Sequence, residues 1–347
     1  MDAPWLSQLT LLETGLGASF TTTARKTLDI LAGMPRLQSL TLGHSIQADF
    51  DSMDAISTYP IVNLSNLTYM AISSDDITCL AFVEKIRRSP SGCLVNFNSK
   101  ITTSGSFPTA NTIIFSLFNR LLAENIRIID LSGSISWICL NIQQSSVAIA
   151  SHGCRNYRKG LKIVHYPKMS SHGLFMGFHA NALDVHLSLV PVINSLFTAT
   201  PLQGASTIRL IWEGRYLSAY YACLPDWTSV KTLEASIETI KSLYLFGTPR
   251  NPPSPLILPN LSKIRLYSEM EVYHRTPMLR DFLFRRSSSI NNLVERLEIL
   301  RTANIYGMAE ELSRVPGLQE IISYDRDGHR VCLDMTDYSV GPNLVEV

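Results

Sequence analysis

Met34-Pro35-Arg36-Leu37-Gln38-Ser39-Leu40-Thr41-Leu42 carries the pattern P-x-L-x-x-L-x-L, and the chain uses it again. Pro4-Trp5-Leu6-Ser7-Gln8-Leu9-Thr10-Leu11 matches it at the proline, the three leucines and the threonine. Pro259-Asn260-Leu261-Ser262-Lys263-Ile264-Arg265-Leu266 and Pro316-Gly317-Leu318-Gln319-Glu320-Ile321 follow it, and Pro225-Asp226-Trp227-Thr228-Ser229-Val230 is a looser relative. In a strand, alternate side chains share a face, so the second and third apolar residues of L-x-x-L-x-L point inward. The first sits at the turn into the strand, after a proline that stops the preceding helix. One such unit cannot bury its own apolar face. Neighbouring units must stack, which predicts a curved parallel sheet lined by helices.

Allowing other apolar residues, segments of this form start at Leu6, Leu37, Leu67, Ile126, Leu161, Ala205, Trp227, Leu261, Val294 and Leu318, with weaker ones at Leu94 and Leu183. Their spacing of 22–35 residues is irregular. Helical periodicity fits between them: Ala24, Leu28 and Leu31 within 23–32, Leu80, Val83 and Ile86 within 76–88, Ile114, Leu117 and Leu121 within 112–124, and Leu279, Phe282 and Leu283 within 278–286. Threonines precede the first of these as N-caps, and Thr276-Pro277 opens the last. Arg87-Arg88 and Arg285-Arg286 stand where cations complement a helix C-terminus. Residues 319–334 read as a closing β-hairpin around Asp327-Gly328. The expectation is therefore one irregular repeat domain over 1–347. A full repeat starting at residue 4 without a polar cap reads as truncation of a longer ancestor.

These segments resemble leucine-rich-repeat proteins, most closely the irregular repeat region of fungal F-box/LRR proteins. The resemblance spans most of the chain. The family's usual asparagine three residues after the motif is replaced by Thr14, Ser45, Asp75 and Ser134. It implies an α/β leucine-rich-repeat solenoid, with a curved parallel sheet on the concave side and helices on the convex side. In that family an N-terminal helical F-box docks on the adaptor of a cullin ubiquitin ligase and the repeats hold a substrate. Residues 1–40 carry repeat sequence where an F-box would stand, so docking to the adaptor is not expected from this chain. The binding role of the repeats is.

Composition agrees with a folded, core-rich protein: 46% apolar, 17% charged, net charge +1. Near-neutrality speaks against a nucleic-acid-wrapping function. The six cysteines are far apart and form no C-x-x-C, which suits reduced thiols in the cytoplasm or nucleus. The uncharged stretches 131–154 and 185–208 are too polar or broken by proline for membrane spans. N-x-S/T sequons at Asn63, Asn66 and Asn260 fall inside repeats and read as coincidental.

His165, His172, His179 and His186 recur every seven residues near His152 and Cys154, but glycines interrupt the interval, so scattered histidines are the expectation and no metal or cofactor is assigned. No nucleophile elbow, phosphate loop, dinucleotide fingerprint or H-E-x-x-H occurs. A non-enzymatic protein-interaction scaffold is expected, the alternative being a hydrolase or metal-dependent enzyme assembled only in three dimensions. Positions between the inward leucines must face outward. Early repeats then offer Gln8, Thr10, Ser39, Thr41, Tyr69 and Ala71. Later ones offer Arg209, Lys231, Lys263, Arg265, Tyr267 and Arg296, partly offset by Glu298 and Glu320. That basic patch, with Tyr267 as anchor, is the predicted site for an acidic segment of a protein partner.

Overall fold

A computed structural model of the chain describes residues 4–14, 22–43, 46–47, 49, 55, 57–74, 83–88, 93–101, 137–143, 146–151, 173–180, 205–212, 227–246, 258–267, 276–287, 293–300, 305–324, 330–336 and 344–346. Its repeats open on one turn. The N–H of Leu9, Leu37, Leu67, Val230, Leu261 and Leu318 donates to the carbonyl three residues back, on Leu6, Met34, Leu64, Trp227, Leu258 and Val315, at 3.0–3.4 Å. Both ends of this turn are apolar, and from Met34 onward both ends are buried. One residue after the turn, a single carbonyl accepts two successive N–H groups from the next repeat. Thr10, Gln38, Ser206, Lys231, Ser262 and Glu295 each do this, at 2.8–3.2 Å. The junction sets the register in which the next strand begins.

The chain is mixed α/β, its strands pair mainly in parallel, and it packs as two compact units, Met1–Ile135 with Ser145–Pro201 and Ser136–Gln144 with Leu202–Val347. In the first, β1 (Leu11–Thr14), β3 (Ser39–Gly43), β6 (Tyr69–Ser74), β8 (Leu94–Ile101) and β11 (Gly173–Ala180) run parallel in that order, and β10 (Ser146–Ser151) joins β11 antiparallel. Register places Leu12, Leu40, Met70 and Val95 in one row. Leu40, Met70 and Val95 are fully buried, as are Leu28 and Leu31 of α1 (Ala24–Ala32). The Thr23 hydroxyl caps α1 by accepting from Lys26 N–H at 3.3 Å. Two short parallel pairs complete the unit: β2 (Thr22–Thr23) with β4 (Ile46–Gln47), and β5 (Val62–Leu64) with β7 (Ile86–Arg88).

In the second unit β9 (Trp137–Gln143), β12 (Thr207–Trp212), β13 (Thr232–Ala235), β14 (Lys263–Tyr267), β15 (Arg296–Leu300) and β16 (Glu320–Tyr324) are parallel neighbours. Then β17 (Arg330–Asp334) and β18 (Leu344–Glu346) close the sheet antiparallel. The closing hairpin of the sequence reading is present as β16–β17, its Asp327-Gly328 turn lying outside the described residues. Ile208, Leu233, Ile264, Leu297 and Ile321 form one fully buried row. Helices α2 (Ile237–Phe246), α3 (Thr276–Ser287) and α4 (Ile305–Leu312) fill the connections, α3 packing on both α2 and α4. They add Ile240, Leu243, Leu279, Leu283, Met308 and Leu312 to that core. Ser236 Oγ caps α2 at Thr239 N–H, 3.1 Å, and the buried Thr239 hydroxyl accepts from Trp212 N–H, also at 3.1 Å. Each cap therefore ties a helix start to a strand end.

Several expectations are corrected. Residues 4–8 form a 3-10 turn, and register pairs Leu12, not Leu9, with Leu40. Likewise Leu233, not Val230, pairs with Ile208. Both slips are of three residues, because Leu6, Leu9 and Leu12, and Trp227, Val230 and Leu233, satisfy L-x-x-L twice over. The weak repeat at Leu94 is displaced by two: Val95 stands where Phe97 is expected. The helix of 76–88 fails at its end, where Ile86–Arg88 is strand β7 with Ile86 and Arg88 buried around an exposed Arg87. Arg87-Arg88 is thus no helix terminus, whereas Arg285 and Arg286 do lie in the last turn of α3. Ile126, Leu161, Leu183 and the helix of 112–124 lie outside the described residues. Among the described residues no helix is long and apolar enough to cross a membrane.

Candidate interaction surface

β12 and β14 alternate buried and part-exposed positions, and parallel pairing carries that alternation of faces across β12 to β16, so every second residue stands on the face opposite the core. Parallel register turns these residues into rows. One row runs Arg209, Glu234, Arg265, Glu298 and Ile322; the row before it runs Thr207, Thr232, Lys263, Arg296 and Glu320. Of the six residues expected to form a basic patch, Arg209, Lys263, Arg265, Tyr267 and Arg296 occupy such outward strand positions. Lys231 does not. It precedes β13 as an exposed residue whose carbonyl serves the junction, and Glu234 takes the strand position instead.

Glu234 changes the electrostatics of the face. The residue is 3% exposed, and its carboxylate accepts from Arg209 Nε at 2.9 Å and from Arg265 Nη1. Glu298, 4% exposed, accepts from Arg265 Nε at 2.7 Å and pairs with Lys263 Nζ. Arg265 therefore bridges two carboxylates on the strands either side of it. Burial alone would raise the Glu298 pKa. The hydrogen bonds from Lys263 and Arg265 outweigh it and hold the carboxyl below its ordinary value. Burial works against the charged Arg265 as well, yet both glutamates hold its pKa above the usual guanidinium value. Arg296 Nε donates to Glu320 Oε2 at 2.6 Å at a more exposed position. The predicted basic patch is in fact a ladder of four cations interleaved with three carboxylates, its sign alternating along the Arg209–Glu298 row.

Tyr267 stands outward at the end of β14 and also contacts the sheet beneath it. Its hydroxyl donates to the Leu210 carbonyl at 3.3 Å, two strands away, and the Arg209 guanidinium lies 5.1 Å from its ring centre. These contacts lay the ring across the sheet, where it fixes Arg209 as well as facing outward. Sequence reasoning missed Glu234 because the three-residue slip puts it beyond the strand. No local signal resolves the slip, since Leu224-x-x-Trp227 and Trp227-x-x-Val230 offer the same apolar pair.

In the first unit the outward positions are Leu11 and Glu13, not Gln8 and Thr10, followed by Ser39, Thr41, Tyr69 and Ala71 as expected. Gln8 instead accepts from Arg36 Nη1 at 2.7 Å at the turn edge. A sequon asparagine makes a comparable turn-to-turn bond in each unit: Asn66 Nδ2 donates to the Pro35 carbonyl at 3.1 Å, and Asn260 Nδ2 to the Thr228 carbonyl at 2.7 Å. Each links a repeat to the one before it. Asp49, Tyr59 and Arg25 form a further cluster. The Tyr59 hydroxyl donates to Asp49 Oδ1 at 2.7 Å, and burial with the adjacent carboxylate pushes its pKa up to about 12. It ties chain segments together and presents no reactive group. Of the seven-spaced histidines only His179 is described, on β11, in a strand that runs through Gly173 and Gly177. Among the described residues no group of three or more His, Cys, Asp or Glu is placed to hold a metal. Cys93 and Cys332 are free thiols.

No family model, no curated protein and no solved structure matches the chain.

Proposed function

We propose that the chain is an irregular leucine-rich-repeat solenoid acting as a non-enzymatic protein-interaction scaffold, its concave sheet face holding a protein partner. The observation that carries this reading is the repetition of one turn and one carbonyl-to-two-amides junction in both units. These build a parallel sheet surface with rows of outward side chains. Arginine and tyrosine on that surface are residue types enriched in binding hot spots. The resemblance to F-box/LRR proteins makes a substrate-receptor role its particular form, with the partner as the held substrate. The free thiols of Cys93 and Cys332 suit the cytoplasm or nucleus. Affinity purification from native cells with cross-link mapping tests the proposal. Partner cross-links concentrated on the outward rows of β12 to β16 support it, and co-purified cullin-ligase subunits support the receptor form. Cross-links confined to the helices overturn the assignment of the face.

A further inference from the structure

The two rows of the second sheet differ in how their charges are arranged. Across Arg209, Glu234, Arg265 and Glu298 the sign alternates from strand to strand, and each carboxylate is buried between cations. That row satisfies itself. In the neighbouring row Lys263 and Arg296 are direct register partners, two cations side by side on strands about 4.8 Å apart. Like charges placed opposite each other on one sheet face are destabilising. Glu298 reaches Lys263 from the next row, and Glu320 takes Arg296 only through Nε. Among the described residues this is the hydrogen bond Arg296 makes, so its two terminal nitrogens keep their donors. The Arg296 side chain is 43% exposed and that of Lys263 23%.

We infer that the Lys263–Arg296 pair receives a side-chain carboxylate from an acidic segment of a protein partner. The inference rests on the scaffold reading above and names the partner's chemistry. Over β12 to β16 the face carries four cations against three carboxylates, so a monoanion balances these strands, whereas a phosphate dianion overcompensates. A carboxylate accepts two parallel N–H bonds from the terminal nitrogens of a guanidinium, and the lysine ammonium beside it adds a point charge. Arg209 and Arg265 are positioning residues here: their guanidinium groups are spent on Glu234 and Glu298. The partner's carboxylate thus lies over one strand pair, β14 and β15, and not over the whole basic row.

The test uses the full chain and a fluorescein-labelled hexaglutamate peptide at low ionic strength, with hexaglutamine as the neutral comparison. Wild type binds hexaglutamate, ignores hexaglutamine, and loses affinity as salt rises. Lys263→Gln/Arg296→Gln lowers affinity at least tenfold, while Lys231→Gln, which removes an exposed cation off the rows, leaves it unchanged. A carbodiimide cross-link on the wild type, which needs no variant to fold, joins the peptide to Lys263. Equal loss in Lys231→Gln, retained binding in the folded double variant, or cross-links at other lysines overturns the inference. So does a wild type that holds a partner on this sheet but ignores hexaglutamate; that last result leaves the scaffold reading standing.

Discussion

Arg265 and Glu298 are register partners on β14 and β15, and the Arg265 Nε–Glu298 Oε2 distance is 2.7 Å. The same guanidinium reaches Glu234 on the other side, so one side chain ties three consecutive strands. Replacing such a buried ionic group with a well-packed apolar one is often neutral, whereas removing one partner strands the rest. The ladder therefore fixes register and exposes its stability to pH.

Glu298→Gln is expected to destabilise the protein by about 3 kcal/mol at pH 7, because Lys263 and half of Arg265 lose their counter-charge. The Glu298 carboxyl is held below its ordinary value of 4.5 in the folded chain. Its contribution is therefore fully present above that value and is lost as pH falls through the folded pKa. Urea unfolding of both proteins between pH 7 and pH 3 checks this. The gap should be constant down to about pH 5 and should narrow below it.

Leu40→Ala and Ile264→Ala are each expected to cost about 2–5 kcal/mol, since both side chains are fully buried. The loss combines transfer free energy and cavity. Hydrogen exchange should show the damage spreading to adjacent strands first, β1 and β6 for the former, β13 and β15 for the latter, because each repeat leans on its neighbours. Wild-type melting in either variant contradicts the placement.

Gly317 has φ +81°, and a Cβ there would stand 2.7 Å from the Leu293 side chain. Gly317→Ala should lower stability by about 1 kcal/mol or more through left-handed strain alone, with the clash added. Thermal unfolding measures it. The equivalent turn position in other repeats holds Asn66 and Asn260, whose amides make inter-repeat bonds, so Asn260→Ala should cost about 1 kcal/mol.

The Cys93 thiol is 5% exposed, and burial pushes its pKa up to about 12. Thiolate is the reactive form. Alkylation at pH 8 followed by peptide mapping should leave Cys93 unmodified in the native protein and modify it after denaturation. Rapid native labelling contradicts a closed core at the start of β8.

Much of this fold could be read from the residues, because burial follows the alternation that the motif encodes. The strands after Leu37, Leu67, Ala205, Leu261, Val294 and Leu318, the Thr23-capped helix and α3 all stand where hydrophobic period and capping place them. Register was harder. An L-x-x-L run looks the same after a shift of three, so Trp227 took the place of Val230, and with it Lys231 replaced Glu234 on the face. Only pairing with β12 separates the two. Strand β7 was hidden for a related reason: Val83 and Ile86 lie at helical spacing, yet Ile86 pairs its backbone with Val62. Local period cannot report a partner 24 residues away. The ladder itself was half visible, as cations whose counter-ions depended on that register.

Disulfide trapping across β12 and β13 reads out the register that builds this face. Thr207 and Thr232 are register partners on parallel strands about 4.8 Å apart, within the span a disulfide bridges. Under the alternative alignment on Trp227, Thr207 would instead face Ser229. Mild oxidation of Thr207→Cys/Thr232→Cys should give the 207–232 cross-link by non-reducing peptide mass spectrometry, and Thr207→Cys/Ser229→Cys should not give 207–229. The reverse result would remove Glu234 from the ladder and contradict the account.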